Sequence, residues 1–167
     1  MSSATERDEL VKALVNITGA EIFEAVYIKE DGVAGCLASH TNIYKSLDPE
    51  EDVLVFEDDC EIIDPSFMQF IEKNKHAYDI MYIGTNKTFN TTKGVSSWGT
   101  HAMWISPKAI QLLFQHKPTA RGLDNIWVEV EHAYNLNVWR PPHPHTYVIQ
   151  KLGLISYING KPRVSFI

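Results

Sequence analysis

Four apolar residues, Val53-Leu54-Val55-Phe56, run straight into three carboxylates, Glu57, Asp58 and Asp59. A short continuous apolar run reads as a strand buried on both faces, and in open α/β sheets ligands sit at the carboxyl ends of such strands. Acids crowded at a strand tip repel one another unless a cation neutralises them or water solvates them. Two readings follow. One is a divalent-metal site that holds a phosphorylated substrate, where oxygen ligands suit Mn²⁺ or Mg²⁺ better than zinc. The other is a solvated turn after a strand.

A chain of 167 residues fits one domain, 1–167, with a core of its own. Its 44 % hydrophobic and 22 % charged content is ordinary for a globular protein, which excludes disordered and fibrous classes. No apolar run approaches the length of a transmembrane segment, and the polar start, Ser2-Ser-Ala-Thr-Glu-Arg-Asp-Glu9, lacks the basic and apolar regions of a signal peptide. Two cysteines, Cys36 and Cys60, are too few for a disulfide framework, so the expected localisation is cytoplasmic. A net charge of -6 with scattered lysines and arginines argues against nucleic acid as a partner.

The pattern alternates helices and strands. Thr5 is placed to cap a helix reaching Gly19, with Leu10, Ala13, Leu14 and Ile17 as its apolar stripe. Residues 21–29 alternate as a strand does, and a helix over 35–47 follows. Next come the strand at 53–57 and a helix opened by Pro65, with Phe67, Phe70, Ile71 and Met68 facing inward. Residues 80–83 and 101–105 read as strands, 107–114 and 123–134 as helices, and 146–150 as a strand. The segments 154–158 and 164–167 are further strand candidates. The polar stretch 85–97 reads as a long loop, suited to a mobile lid.

Four segments in order carry a family resemblance: Gly35-Cys-Leu-Ala-Ser-His40, the 53–61 stretch, Tyr78-Asp-Ile-Met-Tyr-Ile-Gly84 and Gly99-Thr-His-Ala-Met-Trp-Ile-Ser106. In that order and spacing the chain resembles glycosyltransferase family 25, which includes lipopolysaccharide-modifying enzymes and procollagen galactosyltransferases. The similarity spans roughly residues 5 to 150. It implies an α/β, GT-A-like open and mostly parallel sheet with flanking helices. It also implies a UDP-sugar donor, a carbohydrate or glycoprotein acceptor, and a metal held near 57–59. The first strand usual in that family is not read here, because a helix starts almost at once; the expectation is that another segment takes its place, that the nucleotide site is reduced, or that the sequence is a piece of a longer chain.

Transfer of a hexose, galactose or glucose, leaves a diphosphate whose departure a divalent ion stabilises. Asp59 is the first choice for its ligand and Asp58 the second, direct or through water. His145, with His143 beside it, is the histidine the resemblance suggests for completing the metal shell, and their alternative is a rigid exposed proline turn. Glu57, Asp58 and His40 are the nucleotide-sugar candidates, with His40 equally readable as a packing residue. Inverting transfer needs one base, and Asp124 takes that place, with Glu129 and Glu131 as substitutes; its alternative is a helix N-cap. Trp98 and Trp127 are the acceptor-binding candidates, and Trp104 reads as core. Lys87, Lys93 and Arg121 are the nearest cations for a diphosphate. A non-catalytic sugar-nucleotide or glycan-binding relative, or an interaction module on the same fold, are the competing functions.

Overall fold

A computed structural model describes the backbone of residues 3–92, 94–143, 146–151, 156–158 and 161–163, and side chains over 6–92, 94–143 and 146–151. In chain order the elements are α1 (Ser3–Thr18), α2 (Gly32–Ser46), β1 (Val53–Phe56), β2 (Cys60–Ile62), α3 (Phe67–Asn74), β3 (Ile80–Gly84), β4 (Lys87–Thr91) and β5 (Gly94–Trp98). They continue with β6 (Ala102–Ile105), α4 (Pro107–Gln115), α5 (Leu123–Tyr134), β7 (Val138–Trp139), β8 (Val148–Gln150), β9 (Ser156–Ile158) and β10 (Lys161–Arg163).

The central sheet has the order β1-β6-β3-β7. β6 runs against both neighbours, while β3 and β7 are parallel, so β1, β3 and β7 point one way and β6 the other. This is an α/β fold on a mixed sheet with flanking helices. Period-two alternation divides its side chains between two cores. Val55, Ile80, Tyr82, Met103 and Ile105 pack with Tyr44 of α2, Ile110 of α4 and Trp127 of α5. Phe56, Met81, Ile83, Ala102 and Trp104 turn the other way, towards Leu14 of α1 and Phe67 and Ile71 of α3. Three layers result, and every strand of the buried sheet reads as an unbroken apolar run for this reason.

Several expectations change. The Thr5 cap is displaced because α1 begins at Ser3, and the buried face of α1 centres on Leu14 while Ile17 is exposed. Residues 21–29 form no strand. Val26 N–H donates to Ser39 Oγ of α2 at 2.8 Å, and the segment passes so close to that helix that a Cβ on Gly35 would lie 2.6 Å from Val26 O. Its backbone is spent on α2, and Ile22 and Tyr27 are left facing solvent.

The polar stretch 85–97 is not a loop but mostly the β4–β5 hairpin, in full antiparallel register from Lys87↔Trp98 to Thr91↔Gly94. Polar residues hid it because Ser96 and Ser97 are buried by side-chain hydrogen bonds to His132 and Arg140 rather than by apolar contact. β7 was not foreseen, since two residues carry no periodicity. Residues 154–155 and 164–167 of the C-terminal strand candidates lie outside the described residues, whereas 156–158 is the strand β9.

Candidate active site

β1 delivers Glu57 into the interior, where it is 3 % exposed, because its backbone N–H still donates to His101 O across the β1–β6 ladder at 2.9 Å. Its carboxylate accepts from Thr100 Oγ1 at 3.1 Å. The same hydroxyl lies 2.9 Å from Asp124 Oδ1, and Gly99 N–H donates to Asp124 Oδ2 at 3.2 Å. Gly99 can place its N–H there because it holds φ +98, with Asn86 N only 2.7 Å from where a Cβ would stand. Thr100 therefore ties together two acids from distant parts of the chain, one at a strand tip and one in the first turn of α5. Asp124 does not cap that helix, since the N-cap is Gly122. The reading of Asp124 as a simple helix cap is thereby removed.

Burial, reinforced by Asp59 and Asp124, holds Glu57 well above the usual carboxylate range. Asp59 is fully buried, and burial together with Asp58 pushes it up to about 7. One oxygen accepts from Gln150 Nε2 at 3.2 Å. The other, Oδ1, is buried without a hydrogen-bond partner among the described residues. A buried carboxylate oxygen without a partner can serve a hard divalent cation, so Asp59 fits Mg²⁺ or Mn²⁺ as one ligand, although among the described residues it does not converge with two other acid, cysteine or histidine donors. Asp58 fits it less directly, because Arg7 of α1 already pairs with it at 2.7 Å.

Behind Glu57 lie Cys36 and His40 of α2. His40 Nδ1 is 3.0 Å from Tyr44 Oη, and burial lowers its pKa to about 4, leaving a neutral ring. Burial first, then Glu57 and Asp124, push the Cys36 thiol up. On the α1 side of the sheet edge a cavity of about 600 Å³ runs between α1, residues 20–25 and β1. Val11, Leu14, Ile22, Phe23 and Val55 line it, together with the charged Asp8, Lys12, Glu21, Glu57 and Asp58.

The remaining candidates are dispersed. Trp98 sits on the hairpin, 45 % exposed, with its ring 4.7 Å from Phe89 and Lys87 Nζ 6.0 Å from its centroid. Trp127 is fully buried against Tyr44, so it offers no face to an acceptor, and the helical stripe that places it inward overrides its sugar-stacking chemistry. Glu131 is bound to Tyr82 and Arg140, and Glu129 holds Thr119 and Ala120. Arg121 pairs with Asp31, the N-cap of α2. His143 is exposed, while His145 and Lys93 lie outside the described residues. Sequence reasoning missed Thr100, Cys36 and Gln150. Gly99-Thr100 at the entry to β6 was the available signal for the first.

No protein-family model matches this chain, and no curated protein matches it. Among solved structures it is similar to a protein from Bacillus anthracis assigned as a glucose-1-phosphate thymidylyltransferase, in complex with a sucrose. The identity is 12 %, the TM-score 0.45, and the match covers 78 % of this chain and 61 % of that one. The chain thus spans about three fifths of that protein's length. So distant a likeness says nothing about residues or chemistry, and none of these comparisons shows membership of glycosyltransferase family 25. What the structure itself defines is an α/β protein with an acid cluster at the carboxyl end of an edge strand. Among the described residues no helix is long and apolar enough to cross a membrane.

Proposed function

We propose that this protein is a metal-dependent, inverting glycosyltransferase that moves a hexose, galactose or glucose, from a UDP-sugar to a carbohydrate or glycoprotein acceptor. The observation that carries the reading is the cavity of about 600 Å³ whose lining includes Glu57 and Asp58. A largely apolar cavity of ligand size with charged side chains in its wall suits a nucleotide sugar, whose base and ribose are less polar than its diphosphate. Asp59, with its orphaned oxygen, and Asp58, once Arg7 gives way, would hold Mn²⁺ or Mg²⁺. Bound there, the ion supplies charge stabilisation to the departing diphosphate.

In this reading Glu57 lines the donor site, and His40, the other nucleotide-sugar candidate, stands behind it outside the cavity wall. Asp124 takes the acceptor proton, oriented by Gly99 N–H and Thr100 Oγ1. Trp98, on the exposed hairpin, offers an aromatic face to the acceptor. Calorimetry with UDP and Mn²⁺, followed by donor hydrolysis and transfer assays, tests this. Asp59→Asn should abolish metal-dependent nucleotide binding. Asp124→Asn should leave binding near normal and lower turnover by about two to four orders of magnitude. Absence of UDP binding in the wild type at saturating Mn²⁺ would overturn the proposal.

A second reading, a non-catalytic sugar-nucleotide or glycan-binding relative, is favoured by one observation: Arg7 already neutralises Asp58. UDP binding without any donor hydrolysis would select it.

A further inference from the structure

We propose that Cys36, His40 and Glu57 form a binding site for a borderline-soft divalent cation of the zinc type. One donor atom from each, a thiol sulfur, a ring nitrogen and a carboxylate oxygen, lies within 4.8 Å of the other two. Cys36 and His40 are four apart on α2 and so share a face of it, and the tip of β1 brings Glu57 against that face. Metal bonds of about 2.0 to 2.3 Å need donor atoms somewhat closer than this, a change that side-chain rotation supplies.

The donor set chooses the metal class. Thiolate, imidazole and carboxylate together are ligands of zinc and its neighbours in the transition series, whereas Mg²⁺ takes oxygen alone. Two of the three ligands are also held from behind. Tyr44 Oη engages His40 Nδ1 at 3.0 Å, which leaves Nε2 for a metal, and Thr100 Oγ1 fixes the Glu57 carboxylate at 3.1 Å. Partners of this kind orient metal ligands and set their affinity. Among the described residues no lysine or arginine pairs with Glu57. Binding would release the thiol proton of Cys36, and any proton on Glu57, to solvent. The resulting thiolate and carboxylate then balance the two charges of the ion. Three protein ligands leave a fourth position for water or a substrate oxygen.

This site shares Glu57 and His40 with the nucleotide-sugar candidates, but it rests on the convergence of three donor atoms and differs from the oxygen site at Asp59. Titration of the metal-free protein with Co²⁺ tests it. A thiolate-to-cobalt charge-transfer band in the near ultraviolet should saturate at one equivalent and disappear on adding Zn²⁺. Cys36→Ser should remove the band, while Cys60→Ala and Asp59→Asn should keep it. Tyr44→Phe should weaken Zn²⁺ binding by about tenfold or more. Because Cys36→Ser could fail to fold, maleimide labelling of the wild type, mapped by mass spectrometry, gives a second readout: Zn²⁺ should slow modification of Cys36. Lack of a charge-transfer band, its survival in folded Cys36→Ser, or labelling of Cys36 unchanged by Zn²⁺ would each overturn the proposal. Loss of Mn²⁺-dependent UDP binding in Asp59→Asn with the cobalt band intact separates this site from the glycosyltransferase reading.

Discussion

Glu57 and Glu131 are buried to nearly the same degree, at 3 % and 5 % exposure, yet their surroundings are opposite in kind. Glu131 of α5 accepts from Tyr82 Oη at 2.6 Å and pairs with Arg140, whose Nε donates to Ser97 Oγ at 2.9 Å and whose guanidinium lies 5.3 Å from the Tyr82 ring. Acid, base and hydroxyls complete one another, and the network fastens the β4–β5 hairpin to the sheet and to α5. Glu57 receives one hydroxyl hydrogen bond and feels three further acids, Asp59, Asp124 and Asp58. A buried ion pair fully supplied with hydrogen bonds is a structural joint, whereas buried acids left without a cation destabilise the fold and persist where a ligand answers them. The hairpin side of the molecule is thus satisfied and the β1 tip is not.

Breaking the satisfied side should have the largest effect. Arg140→Leu leaves Glu131 buried and unpaired, and urea denaturation should register a loss of about 3–5 kcal/mol. The double variant with Glu131→Gln should recover part of that loss, because no charge is then stranded. A loss under about 1 kcal/mol in the single variant would mean that the two regions are not energetically different.

The pH dependence sharpens the comparison from the unsatisfied side. Asp59 has its pKa raised from 3.8 to about 7, so the stability it contributes is fully present below 3.8 and is lost as pH rises towards 7. His40 is lowered from 6.5 to about 4, so its contribution is present above 6.5 and is lost as pH falls towards 4. The two oppose each other across one window. Glu57 and Glu131, also raised by burial, add to the loss with rising pH, so the wild-type slope between pH 4 and 6.5 should lie between those of the two single variants. Relative to wild type, Asp59→Asn should tilt the profile towards stability at higher pH and His40→Gln towards stability at lower pH, each by up to about 1.4 kcal/mol per unit. Parallel profiles for all three proteins, measured by urea denaturation without added metal, would refute the opposition.

The smallest effect is expected at Glu57. Burial and its acidic neighbours favour the protonated carboxyl, and Gln keeps that shape and the acceptor for Thr100. Glu57→Gln should therefore change stability by less than about 1 kcal/mol in the metal-free protein, in contrast to the loss at Arg140. A loss above about 2 kcal/mol would show that Glu57 is held ionised and paired.

Most elements were legible because each has one local cause. Pro107 at the helix start announced α4, the helix read over 123–134 is α5, and the runs at 53–56 and 80–83 announced central strands. The hairpin escaped because its buried serines are stabilised by Arg140 and His132, residues far along the chain. Residues 21–29 misled because alternation states only that one side of a segment prefers burial, and here α2 took the backbone before any strand could.

By itself the sequence determined the layered α/β pattern and the crowding of Glu57, Asp58 and Asp59 at the end of an apolar strand, since both follow from neighbours in the chain. Only tertiary structure decided that Asp58 meets Arg7, that Thr100 joins Glu57 to Asp124, and that Cys36 and His40 stand behind them. Those meetings depend on how helices and strands pack across long sequence separations, and a hydroxyl, a thiol and an acid carry no periodic signal of which partner they will find.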